Sequence, residues 1–338
     1  MRKIRKFGLM LFIGVLSTFL VLAGCSSTSE KESAQNDTIV YGGSSWMAHI
    51  PAYIGVKKGF FKEQGLNVEF KSFPTSSARM TALATGDVDF GSTGVISAIS
   101  LMASGDDSFS IFGVPDIYVG QEGIVAHQEI KSIKDLKGKK VAVPFSSSSH
   151  VMLIDLLKRH GLNPQKDVKV INMAGDDMIP AFTNKQIHAA AIWSPSYQKL
   201  QQVKGAHVLA DDTKTSVYQQ FKFNAGPDVL VINNKFAKEN PETAKKLIAA
   251  YFKSVQFVKE NPKEAAKIFK ELSNLDEKEQ EKIIQDIKWI DQSEQKKLLG
   301  SGGDFNKTLV HLSQFLSEHK LINRKVDVKE WINTDVLP

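Results

Sequence analysis

From Thr38 onward, short runs of β-branched and apolar residues alternate with longer stretches in which apolar positions recur every three or four residues. This alternation predicts α/β units, in which the strands of parallel sheets are joined by crossover helices. The predicted strands are 38–41, 67–72, 88–90, 140–144, 168–172, 189–193 and 229–233. The helices predicted between them are 51–58, 76–85, 96–103, 147–160, 177–184 and 195–204. Residues 91–94 are predicted to form the loop that enters the third helix.

The last third of the chain has a helical pattern almost throughout. Its predicted helices are 242–259, 262–272, 277–289 and 307–319. A tail without strands must cover a sheet formed elsewhere, so we predict an interrupted first domain rather than two consecutive domains. Residues 38–121 plus 222–338 make one lobe, and residues 122–221 make the other. Crossing segments near 116–125 and 223–231 would form the hinge between them.

The composition is that of an ordinary globular protein, with 42% hydrophobic and 24% charged residues among 338. About 300 ordered residues exceed what one hydrophobic core usually holds, which supports two domains. The formal net charge of +6 falls to +2 once residues 1–24 are set aside, because that segment has four basic and no acidic residues. A charge this close to neutral gives no reason to expect a nucleic-acid partner.

The amino-terminal segment has the pattern of a secretory signal. Four basic residues precede an apolar run at 7–22, which is shorter than the roughly 20 residues that a transmembrane helix needs. The run ends at Leu22-Ala23-Gly24-Cys25, which contains the single cysteine of the chain. We predict a signal peptide over 1–24 and a flexible polar tether over 25–37.

The Leu-Ala-Gly-Cys boundary resembles the lipobox of bacterial lipoproteins. The resemblance implies that the Cys25 thiol becomes a thioether to diacylglycerol and that the new amino terminus carries a fatty acid such as palmitate. The protein would then be anchored by lipid to the extracytoplasmic face of the cell membrane. A single cysteine committed to lipid leaves none for a disulfide, so packing alone must stabilise the fold.

Three further segments, 52–61 (AYIGVKKGFF), 82–90 (ALATGDVDF) and 136–144 (LKGKKVAVP), are informative together. They resemble the solute-binding proteins of sulfonate, nitrate and taurine ABC importers, and the likeness extends over nearly the whole chain after the tether. The resemblance implies a two-lobed periplasmic-binding-protein-like fold of type II, with two α/β domains, a two-segment hinge and a helical carboxyl-terminal portion. It also implies that a small anionic or zwitterionic solute is captured between closing lobes and delivered to a permease driven by an ATPase. We expect a monomer without catalysis or a cofactor.

Serine-rich segments at helix starts are the candidates for an anion site. Residues 146–149 follow a predicted strand and open a helix, so their hydroxyls and the free N–H groups of the first turn can bind a sulfonate. A plain helix cap worth roughly 1 kcal/mol is the alternative. The candidates from this segment and from its two counterparts on the other lobe are Thr75, Ser76, Thr93, Gly94, Ser147, Ser148, Ser149 and His150. Since no Arg or Lys lies in these loops, neutral dipoles are expected to hold the anion.

Two tryptophans are candidates for the wall of the site. Trp193 ends a predicted strand, and Trp46 follows the first strand beside Ser44 and Ser45, which are candidates with it. Two rings across a cleft could enclose an alkyl chain or an ammonium group. The alternative is that both are ordinary core aromatics.

Asp228 is the residue that best discriminates among ligands. It begins the returning strand at the predicted hinge, and the resemblance places it at the position of the aspartate that pairs with taurine's ammonium in the taurine-binding branch. Segments 144–150, 192–195 and 228–231 resemble that branch most. Glu122, on the outgoing crossing segment, is a second acidic candidate, and either carboxylate could instead cap a turn. If Asp228 binds the ligand, the ligand is zwitterionic, because a simple sulfonate would leave a buried carboxylate without a partner.

Other classes of function find less support in the sequence. The eight histidines have no carboxylates at metal-ligand spacing, so no metal site is expected. Ser149 and His150 point apart on a helix, and G-x-S-x-G is absent, which argues against a hydrolase. Pyrimidine-precursor synthases of thiamine metabolism resemble this scaffold, but their cysteine-rich iron motif is missing. Within the binding-protein class, an alkanesulfonate, nitrate or a thiamine or riboflavin precursor stays open as the ligand.

Overall fold

The computed structural model describes residues 38–300 and 302–338, where strands and helices alternate. The strands are β1 (Ile39–Gly43), β2 (Val68–Ser72), β3 (Phe90–Gly94), β4 (Phe109–Gly113), β5 (Asp116–Ile117), β6 (Glu122–His127), β7 (Lys140–Val143), β8 (Lys169–Asn172), β9 (Ala189–Trp193), β10 (Ala206–Asp211), β11 (Asp228–Asn233) and β12 (Lys288–Trp289). The helices are α1 (Ile50–Lys58), α2 (Phe60–Glu63), α3 (Ser76–Thr85), α4 (Val95–Ala103), α5 (Ser148–Arg159), α6 (Gly175–Thr183), α7 (Ser196–Gln201), α8 (Ser216–Phe221), α9 (Asn234–Glu239), α10 (Pro241–Glu260), α11 (Pro262–Ser273), α12 (Glu277–Asp286), α13 (Gln292–Leu299) and α14 (Asp304–Glu318).

Ten of these strands form two five-stranded sheets. The first has the order β2-β1-β3-β11-β4 and the second the order β10-β6-β9-β7-β8, while β5 pairs with β12. Strand β11 runs antiparallel to β3 and β4, and β6 runs antiparallel to β9 and β10. The sheets are therefore mixed, with antiparallel strands beside the predicted parallel ones. The chain passes from the first sheet to the second and back, and β6 and β11, the strands that follow these crossings, enter at the edge where the parallel strands end.

These two antiparallel strands bring acidic residues to that edge. Asp228 begins β11 and lies opposite Gly94, the last residue of β3. Glu122 begins β6 and lies opposite Trp193, the last residue of β9. Each sheet therefore has a carboxylate beside the carboxyl end of a parallel strand, which is where α/β sheets bind ligands.

Several local elements differ from the prediction. Strand β3 continues to Gly94, so residues 91–94 are not a loop, and Ser92 and Thr93 are buried within the sheet. Strands β4 and β6 are missing from the predicted elements because runs of five or six residues that are buried on both faces show no clear period. Strand β10, which is half-buried, is also missing from them. The predicted helix 277–289 ends at Asp286, where the chain becomes extended and forms β12.

Three of the carboxyl-terminal helices, α10 to α12, cover one face of the first sheet. Helices α10 and α11 contact α1, and with α12 they join the apolar cluster that contains the inner side chains of β1, β3 and β11. Tyr41, Phe90 and Leu230 from those strands, together with Leu247 and Tyr251 from α10, are at most 1% exposed. Burial of this apolar area is the main stabilising contribution to this half of the molecule.

The lobe boundaries, 38–121 plus 222–338 and 122–221, remain a prediction. The predicted signal peptide 1–24, the predicted tether 25–37 and the predicted modification site Cys25 lie outside the described residues. Within the ranges that the structure describes, no helix combines the length and the apolar character needed to cross a membrane.

Candidate functional site

A cleft of about 250 Å³ lies where the strand ends of the two sheets face each other. Most of the candidates predicted from the sequence line it: Ser44, Ser45, Trp46, Thr75, Ser76, Gly94, Ser147, Ser148, Trp193 and Asp228. Four others, Thr93, Glu122, Ser149 and His150, lie outside its lining. The volume suits a solute of a few heavy atoms, because drug-sized ligands occupy pockets of roughly 300 to 1,000 Å³.

The carboxylate of Asp228 lines this cleft and is oriented by Trp46. The indole Nε1 donates a hydrogen bond of 2.6 Å to Asp228 Oδ2, and both residues are at most 5% exposed. The chain turns after β1 so that the backbone N–H of Trp46 donates to Ser44 Oγ at 3.3 Å. The indole packs edge-to-face on Tyr118, with ring centroids 4.7 Å apart. Trp46 therefore orients the carboxylate and also forms a wall of the cleft.

The aromatic partner of Trp46 is Tyr118, which no motif in the sequence distinguishes. Tyr118 lies on the crossing segment between β5 and β6 and lines the cleft with Trp46. Trp193, half-buried at the end of β9, lines the cleft from the second sheet. The cleft thus has aromatic surfaces contributed by both sheets, beside a carboxylate, which is the composition that can hold an ammonium group.

A buried cation, Arg79, also lines the cleft, although it is only 4% exposed. Its Nη2 donates to Ser76 Oγ at 3.2 Å, and its Nη1 donates to the Gly43 carbonyl at 3.3 Å. Gly42 makes room for it, since a Cβ there would lie 3.0 Å from the Arg79 side chain. Burial lowers the pKa of Arg79 to about 10, against the effect of Tyr41 and Asp228, so the side chain stays charged at neutral pH.

The cleft therefore contains a positive charge in addition to the neutral dipoles expected from the loop sequences. The loop sequences do not indicate Arg79, because it lies inside α3 rather than in the loop before it. It lies three residues after Ser76, so the helical repeat places it on the same face of α3 as the serine that opens the helix. Thr75 caps this helix, with its hydroxyl accepting from the Ala78 N–H at 3.1 Å. The start of α3 thus combines free N–H groups with a positive charge.

The serines at the start of α5 have partners within the protein. Ser147 caps the helix, accepting from the His150 N–H at 3.3 Å and donating to the Pro144 carbonyl at 2.5 Å. Ser148 donates to Glu122 Oε1 at 2.6 Å, and Ser149 donates to the same oxygen. Glu122 is fully buried. It therefore accepts hydrogen bonds from two of the hydroxyls that were expected to bind an anion. Of these residues, Ser147 and Ser148 remain at the cleft surface.

The remaining candidates have other surroundings. Thr93 is fully buried inside the first sheet, with its hydroxyl away from the cleft lining. The His150 ring stacks on Phe145, with centroids 4.6 Å apart, and lines a different cavity. In the described ranges, no group of three or more His, Cys, Asp and Glu side chains is arranged to hold a metal ion.

Four carboxylates are buried around Tyr118. Its pKa is raised well above the ordinary value by burial and then by the charges of Asp228, Glu122, Asp116 and Asp212. Burial raises the pKa of Glu122 to about 8 and that of Asp212 to about 7. Burial likewise raises the pKa of Asp228 to about 7, against its bond from Trp46 and the charge of Arg79. Asp116, whose pKa is raised by burial and by Asp228, has no hydrogen-bond partner among the described residues.

Comparison with known proteins agrees with this architecture. Residues 46–265 match the family described as NMT1/THI5 like. The chain belongs to the NMT1/THI5-like family. A Bacillus subtilis (strain 168) protein named for the binding of aliphatic sulfonates is 27% identical over 336 residues, which cover 97% of this chain and 95% of that protein. The taurine-binding periplasmic protein of Escherichia coli (strain K12) is 28% identical over 69% of each chain.

A solved structure shows the same fold. The alkanesulfonate-binding protein SsuA from Xanthomonas axonopodis pv. citri, bound to MOPS, superimposes with a TM-score of 0.71 over 88% of this chain and 98% of SsuA, at 17% identity. The periplasmic-binding-protein fold and the family membership predicted from the sequence are thereby confirmed. Both of these relatives and the solved structure are named as binding proteins rather than as enzymes.

Proposed function

We propose that this chain is the extracytoplasmic solute-binding component of an ABC importer and that it captures a small amino-sulfonate, for which taurine is the best single candidate. The observation that carries the proposal is the presence of two opposite buried charges, Arg79 and Asp228, in one cleft of about 250 Å³. Arg79 is bonded to Ser76 and Gly43, and Asp228 is bonded to Trp46, so each charge has its own partners. A zwitterion can satisfy both charges at once.

The groups that line the cleft differ in chemistry, which would give the ligand an orientation. A sulfonate suits the start of α3, where Arg79 and the free N–H groups after Thr75 are donors. An ammonium group suits Asp228 and the faces of Trp46 and Tyr118. The relatives named for binding aliphatic sulfonates and taurine support the anionic half of this assignment. The family also supports a permease and its ATPase as partners.

A calorimetric panel tests the proposal. We expect taurine to bind more tightly than ethanesulfonate, nitrate or the hydroxymethyl pyrimidine of thiamine, because only taurine has both charges at the spacing of a two-carbon chain. If ethanesulfonate binds as tightly as taurine, the ligand is better described as a sulfonate in general than as an amino-sulfonate. Tightest binding of the pyrimidine would instead favour Trp46 and Trp193 as stacking surfaces for a flat ring.

Taurine binding is expected to depend on pH through Asp228. Since burial raises the pKa of this carboxyl to about 7, it must lose a proton before it can pair with an ammonium. The affinity for taurine should therefore rise between about pH 5.5 and pH 8, by up to about tenfold per unit at the acidic end, with release of a proton. In the unliganded protein the raised pKa of Asp228 has the opposite effect on stability. The free energy of unfolding should fall as pH rises from about 4 through 7, because the buried carboxyl becomes charged over that range.

Calorimetry in two buffers of different ionisation enthalpy measures the protons released at each pH. Ethanesulfonate is the control, because it has no ammonium and should not gain affinity as Asp228 ionises. A taurine affinity that stays constant over this pH range would contradict the pairing with Asp228.

Closure of the predicted lobes on the ligand is a further expected result. Saturating taurine should reduce the radius of gyration in solution scattering and raise the melting temperature, because a ligand of the native state stabilises it by RT ln(1 + [L]/Kd). Scattering curves that superimpose with and without ligand would contradict closure while leaving binding intact.

The predicted lipid anchor is tested at Cys25. Cys25→Ser should release the protein from membranes without changing its fold, because the residue precedes the described domain. The measurement is membrane partitioning together with mass spectrometry of the amino-terminal peptide. An unmodified wild-type peptide would rule out the lipoprotein.

A further inference from the structure

A second cavity, of about 740 Å³, lies apart from the cleft between α5, β8 and the end of α14. Helix α5 contributes His150, Ile154 and Lys158, which the four-residue spacing places on one face. Strand β8, whose residues Lys169 and Val170 line the cavity, is at the edge of the second sheet. We call this cavity the lateral groove, and its volume lies within the range of small-molecule sites.

Positive charge dominates the lateral groove. Lys158, Lys166, Lys169 and Lys320 line it, against the single acid Glu318. In the part of the chain that the structure describes, none of these four lysines forms an ion pair. This concentration of unpaired cations around one concave surface attracts an anion.

Two of the basic groups in the lateral groove face each other directly. Lys158 Nζ lies 3.2 Å from His319 Nδ1, a contact that holds only while the imidazole is neutral and accepts the bond. Burial and then the charge of Lys158 lower the pKa of His319. An anion that contacts both side chains would stabilise a positive charge on each and so favour protonation of His319.

The lateral groove also contains a pair of stacked aromatic rings. The Phe145 and His150 rings stack with an interplanar angle of 5°, and Phe145 is 40% exposed. Burial lowers the pKa of His150 to about 4, so the stacked pair is uncharged at neutral pH. A smaller cavity of about 210 Å³ continues past the same two rings toward Leu316. A large exposed apolar side chain beside a cavity is typical of a binding surface.

We propose that the lateral groove binds an organic anion with a flat apolar body, whose charged group lies between Lys158, His319 and Lys320 while its body packs on Phe145. The proposal is independent of the ligand in the cleft, because the two cavities share no lining residue. An inorganic anion would use the lysines but not the ring, and a neutral aromatic would use the ring but not the lysines.

The test compares 2-naphthalenesulfonate, inorganic phosphate and 2-naphthol on the mature protein. We expect the sulfonate to bind most tightly and to shift the His319 ring resonances in NMR spectra toward the charged form. Lys158→Gln combined with Lys320→Gln should weaken that binding roughly tenfold. The matched control is Lys246→Gln with Lys282→Gln, which removes the same charge from exposed positions outside the groove and should change the affinity less than twofold.

Phe145→Ala separates the two halves of the site. It should weaken 2-naphthalenesulfonate but leave the affinity for phosphate unchanged, and the exposed position makes loss of folding unexpected. Equal affinity of the wild type and the double lysine variant for 2-naphthalenesulfonate, or unshifted His319 resonances, would overturn the proposal. Equal binding of 2-naphthol or of phosphate would also overturn it, in favour of a purely apolar or purely anionic site.

Discussion

Asp228→Asn is expected to weaken taurine binding by roughly 2 to 5 kcal/mol while leaving the affinity for ethanesulfonate equal or improved. The variant removes the only charge that the proposal pairs with the ammonium, in a site where Asp228 is 3% exposed and water screens little. Asparagine keeps an oxygen that can accept the Trp46 Nε1 bond, so the wall of the cleft should stay in place. Ethanesulfonate has no ammonium, and its affinity should rise when a nearby negative charge is removed.

The matched control for this variant is Asp176→Asn. Asp176 also lines the cleft, but it is exposed and is the second residue of α6, so its charge is screened by water. We expect its removal to change the taurine affinity by less than about 1 kcal/mol. Calorimetry on both variants with both ligands gives four values that decide the assignment. If Asp228→Asn lowers the affinity for both ligands equally, the carboxylate has a structural role and the ligand is not a zwitterion.

Arg79→Gln is expected to weaken taurine and ethanesulfonate together, by roughly 2 to 5 kcal/mol each. Both ligands have the sulfonate that the proposal places beside this buried guanidinium, so the loss should not distinguish them. Glutamine is long enough to replace the bond to Ser76, which limits the damage to α3. Because Arg79 lowers the pKa of Asp228, its loss should also move the pH dependence of taurine binding upward.

Arg79→Lys is the control that keeps the charge but loses the second donor group. We expect it to retain part of the affinity for both sulfonates, whereas Arg79→Gln should not. Thermal unfolding of each variant without ligand shows whether the fold persists. Unchanged ethanesulfonate binding in Arg79→Gln would mean that helix dipoles and hydroxyls hold the anion by themselves, as the loop sequences alone suggest.

Much of the fold could be predicted because the local signals are strong. The glycines at 59 and 86 adopt the left-handed conformation that ends α1 and α3, as helix stop signals do. Short strands such as β4 and β6 could not be predicted, since they are buried on both faces and their apolar runs carry no period. The direction of β6 and β11 could not be predicted either, because their partner strands lie more than 60 residues away in the sequence.

The sequence by itself determined the α/β class, the family and the main residues of the cleft, because turns, helix starts and hydrophobic periods are local properties. Only the tertiary structure decided how those residues are used. It brought Glu122 to Ser148 and Ser149, and it placed Trp46 beside Asp228 across 182 positions of sequence. It also buried Arg79 in the cleft, a charge whose position depends on the packing of α3 against β1. Contacts of this kind depend on which faces of the helices and strands pack against each other. No short stretch of sequence specifies this packing.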